Sequence, residues 1–325
     1  VGTDQSDIYE INLPSENKFY DTDFLISGRY VRMREITSGI RSMKYIEEDN
    51  LIYGTVDGKV YQNAEQRFAD DNGVKGSING VFNLTDRDVL ISNSLGYLIY
   101  LKENASSGFY AQLPHVDIKH NINVIDFSHK SSIIATNGRL SEIEFWGCPP
   151  GGDINFKEKI RIEGMRSKVT SLKFIDDKNW IIIGTQEGTL FIYSFPEDKV
   201  IFENKSAHLS ALTVLALDPL SRFIVSGGRD DKIHVWDIDL LSDDYVPIVH
   251  QMNQAIQDIA FIGNDWFVSL SRGQSNLSTD RNSVGRMSFW SVDLDLFAKK
   301  LAQSEKTWLI EDFEYNDVYQ KYIPN

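Results

Sequence analysis

Short apolar runs of strand length recur along the chain, and each pair of runs is separated by a polar turn. The clearest pair spans residues 181–193 and reads IIIGTQEGTLFIY, with β-branched and aromatic residues in both arms. The arms are apolar nearly throughout instead of alternating with polar residues, so both faces of these strands are expected to be buried. The pattern predicts β-hairpins whose sheets stack face to face.

This hairpin pattern is repeated along the chain. Further copies lie at residues 51–61, 89–101, 133–146, 223–236 and, with an inserted polar loop, 266–290, and residues 1–13 resemble a copy that begins in mid-strand. The copies are spaced by about 45 residues on average, and each copy after the first is preceded by one further strand-like segment and followed by a weaker one. Four strands per period are typical of a β-propeller blade. The seven copies predict an all-β fold, a seven-bladed β-propeller of four-stranded antiparallel blades.

The periodicity covers nearly the whole chain, so we interpret residues 1–325 as a single propeller domain. The first blade is expected to be incomplete at the N-terminus. The first residue is Val1 and not Met, which indicates a part of a longer protein. Residues 294–325 combine one helical spacing with two strand-like segments. The missing innermost strand of the ring comes either from residues upstream of Val1 or from this C-terminal segment.

One copy carries residues found together in a known family. They are Ala207-His208 before the first strand, Asp218-Pro219 at a turn, Ser226-Gly227 on the second strand and Trp236-Asp237 on the third. This copy resembles a repeat of the WD-repeat β-propellers. The resemblance implies a buried structural tetrad formed by His208, Ser226, Asp230 and Trp236. The other copies keep less of the pattern, and an unrelated seven-bladed propeller family is the alternative.

The charge of the chain restricts its partners. It has 33 Lys and Arg against 47 Asp and Glu, a net charge of −14. We therefore expect no direct binding of nucleic acid, because such binding depends on cationic side chains that neutralise phosphates. No run of about 18 apolar residues is present, so no membrane insertion is expected. The single cysteine, Cys148, cannot form an intramolecular disulfide, which favours an intracellular location, nucleus or cytoplasm.

The sequence lacks the motifs of common enzyme classes. It contains no GxGxxG, GxxxxGK[ST], GxSxG or HExxH pattern, and its six histidines have no metal-ligand spacing. We therefore predict no catalytic activity, no cofactor and no metal site.

Two groups of arginines are candidates for partner binding, because guanidinium groups bind phosphate and carboxylate bidentately. The first group lies between the first two hairpins, and the second lies in the polar insertion at residues 271–286. They are Arg29, Arg32, Arg34 and Arg41, and Arg272, Arg281 and Arg286. The alternative for the first group is a charged strand edge, and for the insertion a tolerated surface loop.

These features predict a non-catalytic protein-interaction scaffold, a subunit or domain of a larger intracellular multiprotein complex. Its partners are expected to be protein subunits, some with basic or phosphorylated segments. The resemblance implies a nuclear transcription or chromatin assembly as the favoured setting. The alternatives are a trafficking-coat subunit, or a module that recognises phosphopeptides or acidic motifs, such as a ubiquitin-ligase substrate receptor.

Overall fold

The described part of the chain is built from strands and turns. In the computed structural model, the described residues are 7–12, 27–32, 38–47, 50–62, 65–69, 76–85, 88–103, 110–112, 116–118, 120–139, 141–149, 153–252, 254–271 and 286–292. These ranges hold one short 3-10 helix, Ile238–Leu240. No helix in them is long and apolar enough to cross a membrane.

Within these ranges, six antiparallel sheets follow one another along the chain, and we number them blades 1 to 6. Two strands precede them, β1 (Asp7–Asn12) and β2 (Ser27–Arg32). Blade 1 contains β3 (Ile40–Glu47), β4 (Asn50–Thr55), β5 (Lys59–Gln62) and β6 (Glu65–Ala69). Blade 2 contains β7 (Ile78–Asn83), β8 (Asp88–Asn93), β9 (Tyr97–Glu103), β10 (Tyr110–Gln112) and β11 (Val116–Asp117). Blade 3 contains β12 (Ile125–Ser128), β13 (Ile133–Asn137), β14 (Glu142–Gly147) and β15 (Asn155–Arg161).

The remaining blades follow the same order. Blade 4 contains β16 (Val169–Ile175), β17 (Trp180–Thr185), β18 (Leu190–Ser194) and β19 (Lys199–Asn204). Blade 5 contains β20 (Leu212–Leu217), β21 (Phe223–Gly228), β22 (Lys232–Asp237) and β23 (Ile248–Gln251). Blade 6 contains β24 (Ile256–Ile262), β25 (Trp266–Ser271) and β26 (Arg286–Ser291).

The prediction of seven four-stranded blades is wrong, because the described residues form a propeller with six. Within the described residues, the first sequence copy contributes only the strand β1, which pairs with β2 in a two-stranded ladder. Blade 6 has three described strands, and each of the other blades has four strands in sequential order. In blade 2, the additional short strand β11 pairs with β9, on the same edge as β10. Apolar periodicity identifies strands, but the number of strands in a sheet depends on pairing between distant segments.

The first strand of each blade is its innermost strand. We label the strands of each blade a to d in chain order. Strand a of one blade contacts strand a of the next, as β16 contacts β20 and β20 contacts β24. In an antiparallel blade, the a–b and c–d turns lie at one end of the sheet, and the b–c turn and the d–a connection lie at the other. The propeller therefore has an a–b face and a b–c face.

The hydrophobic core lies between blades. All residues of β8 and β18 are buried, as expected for strands covered on both faces. One cluster joins blades 4 and 5 through Ile182, Leu212 and Trp236, which are fully buried. Burying one such side chain contributes about 1.5–3 kcal/mol, so each blade is stabilised mainly by its neighbours.

A bulge near the start of strand a connects neighbouring blades. The register shifts at this position in blades 1, 2, 4, 5 and 6. In blade 4, the hydroxyl of the bulged Thr170 donates to the carbonyl oxygen of Leu212 at 2.5 Å. In blade 5, Thr213 donates in the same way to Ile256 at 3.0 Å. The bulged residue thus joins its blade to the next one.

The predicted C-terminal helix and strands at 294–325 lie outside the described residues, as does residue 1. The proposed source of the missing inner strand therefore stays a prediction.

Candidate functional site

The four tetrad residues predicted from the sequence meet in blade 5. Nδ1 of His208 lies 2.9 Å from the Asp230 carboxylate, and Nε2 lies 2.8 Å from Oγ of Ser226. The indole N–H of Trp236 donates to the same Ser226 oxygen at 3.0 Å. Because a carboxylate only accepts, Nδ1 carries the proton and Nε2 accepts from the Ser226 hydroxyl. The chain of hydrogen bonds satisfies four polar groups inside the stack.

Local backbone geometry places His208 in this chain. The His208 N–H donates to the carbonyl of Gly188 in the b–c turn of blade 4 at 2.9 Å. Gly188 has φ +83°, and a Cβ there would lie 2.2 Å from the His208 carbonyl oxygen. Only glycine permits this approach, because any other residue would clash with the backbone. The d–a connection that carries His208 is therefore held against the preceding blade.

A second histidine lies against the tetrad. The ring of His234 stacks on that of His208 with centroids 4.4 Å apart, and neither of its ring nitrogens has a hydrogen-bond partner among the described residues. Burial, together with the neighbouring His208, lowers the pKa of His234 to about 3. Burial also lowers the pKa of His208, although Asp230 opposes this. Both rings are therefore neutral at neutral pH.

Asp218, which the sequence placed at a turn, closes the a–b turn of blade 5. Its Oδ1 accepts from the backbone N–H groups of Arg222 at 2.5 Å and Phe223 at 2.7 Å. The Arg222 side chain binds its Oδ2 at 3.2 Å and continues to Asp265 of blade 6 at 3.0 Å. The turn aspartate thus organises one edge of the a–b face.

The sequence analysis did not find two further buried polar contacts. In blade 6, the indole of Trp290 donates to Ser269 at 2.8 Å, which repeats the Trp–Ser half of the tetrad without its histidine. In blade 3, the buried Asp126 accepts from the Phe174 N–H of blade 4 at 2.8 Å and from Lys173 at 3.1 Å. The signal for Ser269 was available, since the residue stands one position before Leu270 as Ser226 stands before Gly227. No local pattern distinguishes Asp126 from a surface aspartate.

The structure describes four of the seven candidate arginines, and these four lie on three different strands. Arg29 and Arg32 lie on β2, opposite Glu10 and Asp7 of β1 in the ladder. Arg41 is exposed at the bulge of β3. Arg286 is the first residue of β26. Arg34, Arg272 and Arg281 lie outside the described residues.

The described residues offer little for catalysis. Cys148 is buried, and burial raises the pKa of its thiol to about 12, so its nucleophilic thiolate is scarce. No group of three or more His, Cys, Asp or Glu side chains in this part of the chain could hold a metal ion.

The two faces of the propeller differ in charge. Within the described residues of blades 3 to 6, the a–b and c–d turns hold ten acidic and three basic residues. The b–c turns and d–a connections of the same blades hold four acidic and five basic residues, within the described ranges. The negative charge of this part of the chain is therefore concentrated on the a–b face.

Comparison with known proteins agrees with this geometry. A family model described as "WD domain, G-beta repeat" matches residues 156–194 and 201–237, which end in the third strands of blades 4 and 5. These two segments are WD repeats. A propeller of WD repeats is typically a non-catalytic platform that binds protein partners.

Similar proteins match only part of this chain. WD repeat-containing protein 3 of Mus musculus is 33% identical over 70 residues, 22% of this chain and 7% of that protein. The Homo sapiens protein of the same name is 32% identical over 71 residues, with the same shares. The match therefore spans less than a tenth of these relatives.

Among solved structures, the crystal structure of the computationally designed Ika8 protein is similar, with a TM-score of 0.59 at 20% identity. The likeness covers 83% of this chain and 78% of that chain. At this identity it shows the fold alone, and the partners of this chain do not follow from it.

Proposed function

We propose that this WD-repeat propeller is a non-catalytic scaffold, a subunit or domain of a larger intracellular multiprotein complex. A nuclear transcription or chromatin assembly is the favoured setting, with the cytoplasm as the other location. Its partners are other protein subunits, and no direct contact with nucleic acid or membrane is part of the proposal.

The observation that carries this proposal is the way neighbouring blades are joined. Thr170, Thr213 and Asp126 bind backbone groups of the next blade. These bonds lie between strands a, so they hold the inner strands in place and leave the turns of both faces free for contact. Binding sites on rigid elements keep their geometry when several partners bind together.

The test is purification of the full-length protein from its own cells under native conditions, followed by mass spectrometry. A stoichiometric set of protein partners supports the scaffold and names its process. A monomer that retains no partner contradicts it.

A second candidate function, recognition of a phosphorylated or acidic segment, is favoured by the position of Arg41. At the same bulge in blades 4 and 5, the side chain is a threonine that binds the next blade, whereas Arg41 is exposed. An exposed guanidinium at the inner strand is placed to bind an anionic group from solution.

The second candidate is tested in the same purification with Arg41→Glu, and with Arg32→Glu and Arg34→Glu combined. Loss of one partner whose binding also disappears after phosphatase treatment supports recognition of a phosphorylated segment. Retention of every partner by these variants removes this candidate and leaves the scaffold proposal standing.

A further inference from the structure

Three large apolar side chains are exposed on the a–b face of blade 5. Leu220 in the a–b turn is 55% exposed, and Leu240 and Val246 between β22 and β23 are 59% and 62% exposed. Single exposed apolar residues are ordinary on protein surfaces, but a group of them marks an interaction site. We call Leu220, Leu240 and Val246 the blade 5 patch.

The backbone brings the two segments of the blade 5 patch to one edge. The Ile238 N–H donates to the Arg222 carbonyl at 2.8 Å, which joins the c–d segment to the a–b turn. Asp237 begins the 3-10 helix by accepting from the Asp239 N–H at 3.0 Å, and the hydroxyl of Tyr245 accepts from the Asp237 N–H at 2.8 Å. The segment is thus folded onto its own blade.

The apolar side chains between β22 and β23 face two directions, some towards the core and some towards solvent. Ile238 is buried, and Leu241 and Tyr245 pack against the core between blades 4 and 5. Leu240 and Val246 point away from that core into solvent. Since the inward set anchors the segment, most of the surface of the outward set is left in solvent and is available to a partner.

The segment that carries Leu240 and Val246 is acidic. Asp239, Asp243 and Asp244 are exposed in the same segment as Leu240 and Val246. The three basic residues in the described turns of this face are already engaged. Lys130 donates to the Asp176 carbonyl at 3.1 Å, Lys178 binds Asp239 at 3.2 Å, and Arg222 binds Asp218 and Asp265. The acidic excess is therefore left for a partner to neutralise.

We propose that the blade 5 patch docks a segment of a partner protein that carries apolar and basic side chains together, as a basic amphipathic helix does. The proposal rests on the scaffold function and names one class of partner for it. The apolar face of such a helix covers Leu220, Leu240 and Val246, and its basic residues pair with Asp243 and Asp244. Nucleic acids and anionic membranes are disfavoured here, because both carry the same charge as this face.

The test uses a labelled synthetic peptide of about 18 residues, with leucine at helical spacing on one face and lysine on the other. Binding to the full chain is measured by fluorescence anisotropy. Two control peptides are a scrambled one of the same composition and one with glutamate in place of lysine. We expect the amphipathic basic peptide to bind at least about fivefold more tightly than either control, because only it matches both the patch and its charge.

Two variants address the patch directly. Leu220→Ser combined with Leu240→Ser, and Asp243→Lys combined with Asp244→Lys, are each expected to weaken binding by about tenfold. The matched control is Leu209→Ser, which removes a side chain that is 79% exposed on the b–c face and is expected to leave binding unchanged. All of these side chains are exposed, so circular dichroism should match that of the unaltered protein and the melting temperature should not fall below it.

The proposal is overturned if the peptide does not bind, or if Leu209→Ser weakens binding as much as the patch variants. It is also overturned if the patch variants abolish a concentration-dependent dimer, since the occupant is then a second copy of this chain. The native purification distinguishes this proposal from the scaffold proposal. If every partner still co-purifies with the variant that combines Leu220→Ser and Leu240→Ser, the scaffold proposal stands and the docking proposal for the blade 5 patch is wrong.

Discussion

At the residue scale, one hydroxyl group organises the polar interior of blade 5. Ser226 lies between the imidazole of His208 and the indole of Trp236, and all three side chains are buried. Ser269 makes only the indole contact in blade 6. The two serines therefore allow the same substitution to be compared in a full and a partial hydrogen-bond chain.

We expect Ser226→Ala to destabilise the protein by about 2–4 kcal/mol and Ser269→Ala by about 1–2 kcal/mol, because the first leaves two buried groups unsatisfied and the second one. Urea unfolding of both variants beside the unaltered chain measures the difference. Equal losses for the two variants would show that the histidine contact contributes nothing.

The histidine pair predicts a pH dependence of stability. Burial holds the pKa of His234 at about 3, below the ordinary value near 6.5 in an unfolded chain. Between these two values the unfolded state binds more protons, so stability falls as the pH drops from about 6.5 towards 3. His208, Asp230, Lys232 and His250 also act on His234, and His250 itself has a pKa lowered to about 4 by burial.

The substitution His234→Phe tests this origin. It removes two unpartnered buried nitrogens and keeps an aromatic ring on His208, so we expect equal or greater stability at pH 7. The advantage of the variant should grow as the pH falls from about 6.5 to 4.5. Melting temperatures at these pH values give the answer, and parallel curves for both proteins would assign the acid sensitivity to other groups.

At the element scale, blades are connected through their inner strands. Asp126 of β12 accepts from the backbone of β16, and the bulged threonines of β16 and β20 reach the carbonyls of the following strands. These bonds join segments more than 40 residues apart, so they form only when the blades have stacked. Sequence pattern within one blade carries no information about them.

We expect Asp126→Ala to destabilise the protein by about 2–4 kcal/mol, because the Phe174 N–H is left buried without an acceptor. The matched control is Lys173→Gln, which loses the half-exposed ion pair with Asp126 and should lose less than about 1 kcal/mol. Hydrogen exchange at the Phe174 amide distinguishes the two: it should accelerate in Asp126→Ala and stay slow in Lys173→Gln. Similar exchange in both variants would contradict the role given to Asp126.

At the scale of the whole molecule, repulsion among the acidic side chains of the a–b face lowers the stability of the folded protein. The described turns of this face hold ten acidic residues against three basic ones, in a chain with a net charge of −14. Repulsion among exposed charges is long-ranged at low ionic strength and is screened by salt. Asp243 and Asp244 are exposed, and no side-chain partner of either is found among the described residues.

Reversing these two aspartates to lysine is expected to raise the melting temperature by about 1–3 °C at low ionic strength, because repulsion on this face is relieved. In about 0.5 M salt the gain should disappear through screening. Scanning calorimetry at both salt concentrations measures it. A lower melting temperature at low salt would mean that these carboxylates make stabilising contacts.

The sequence by itself determined the central hairpins of blades 4 and 5 and, through a resemblance to a known repeat, pointed to the tetrad residues. The predicted hairpins at 181–193 and 223–236 correspond to β17–β18 and β21–β22, because apolar periodicity reports burial of each strand locally. His208, Ser226, Asp230 and Trp236 were identifiable because they occur at a spacing shared with a known repeat.

Only the tertiary structure decided the number of blades, the contacts between them and the composition of each face. The first hairpin copy resembles the others in sequence, yet in the described residues its strand β1 pairs with β2 in a two-stranded ladder. Likewise, no sequence pattern distinguishes Asp126, Leu240 and Asp243 from ordinary surface residues. Their roles depend on the stacking of the blades and on the turns that lie together on one face. The physical reason is that strand pairing and blade stacking join residues far apart in sequence, and their free energy depends on which surfaces meet.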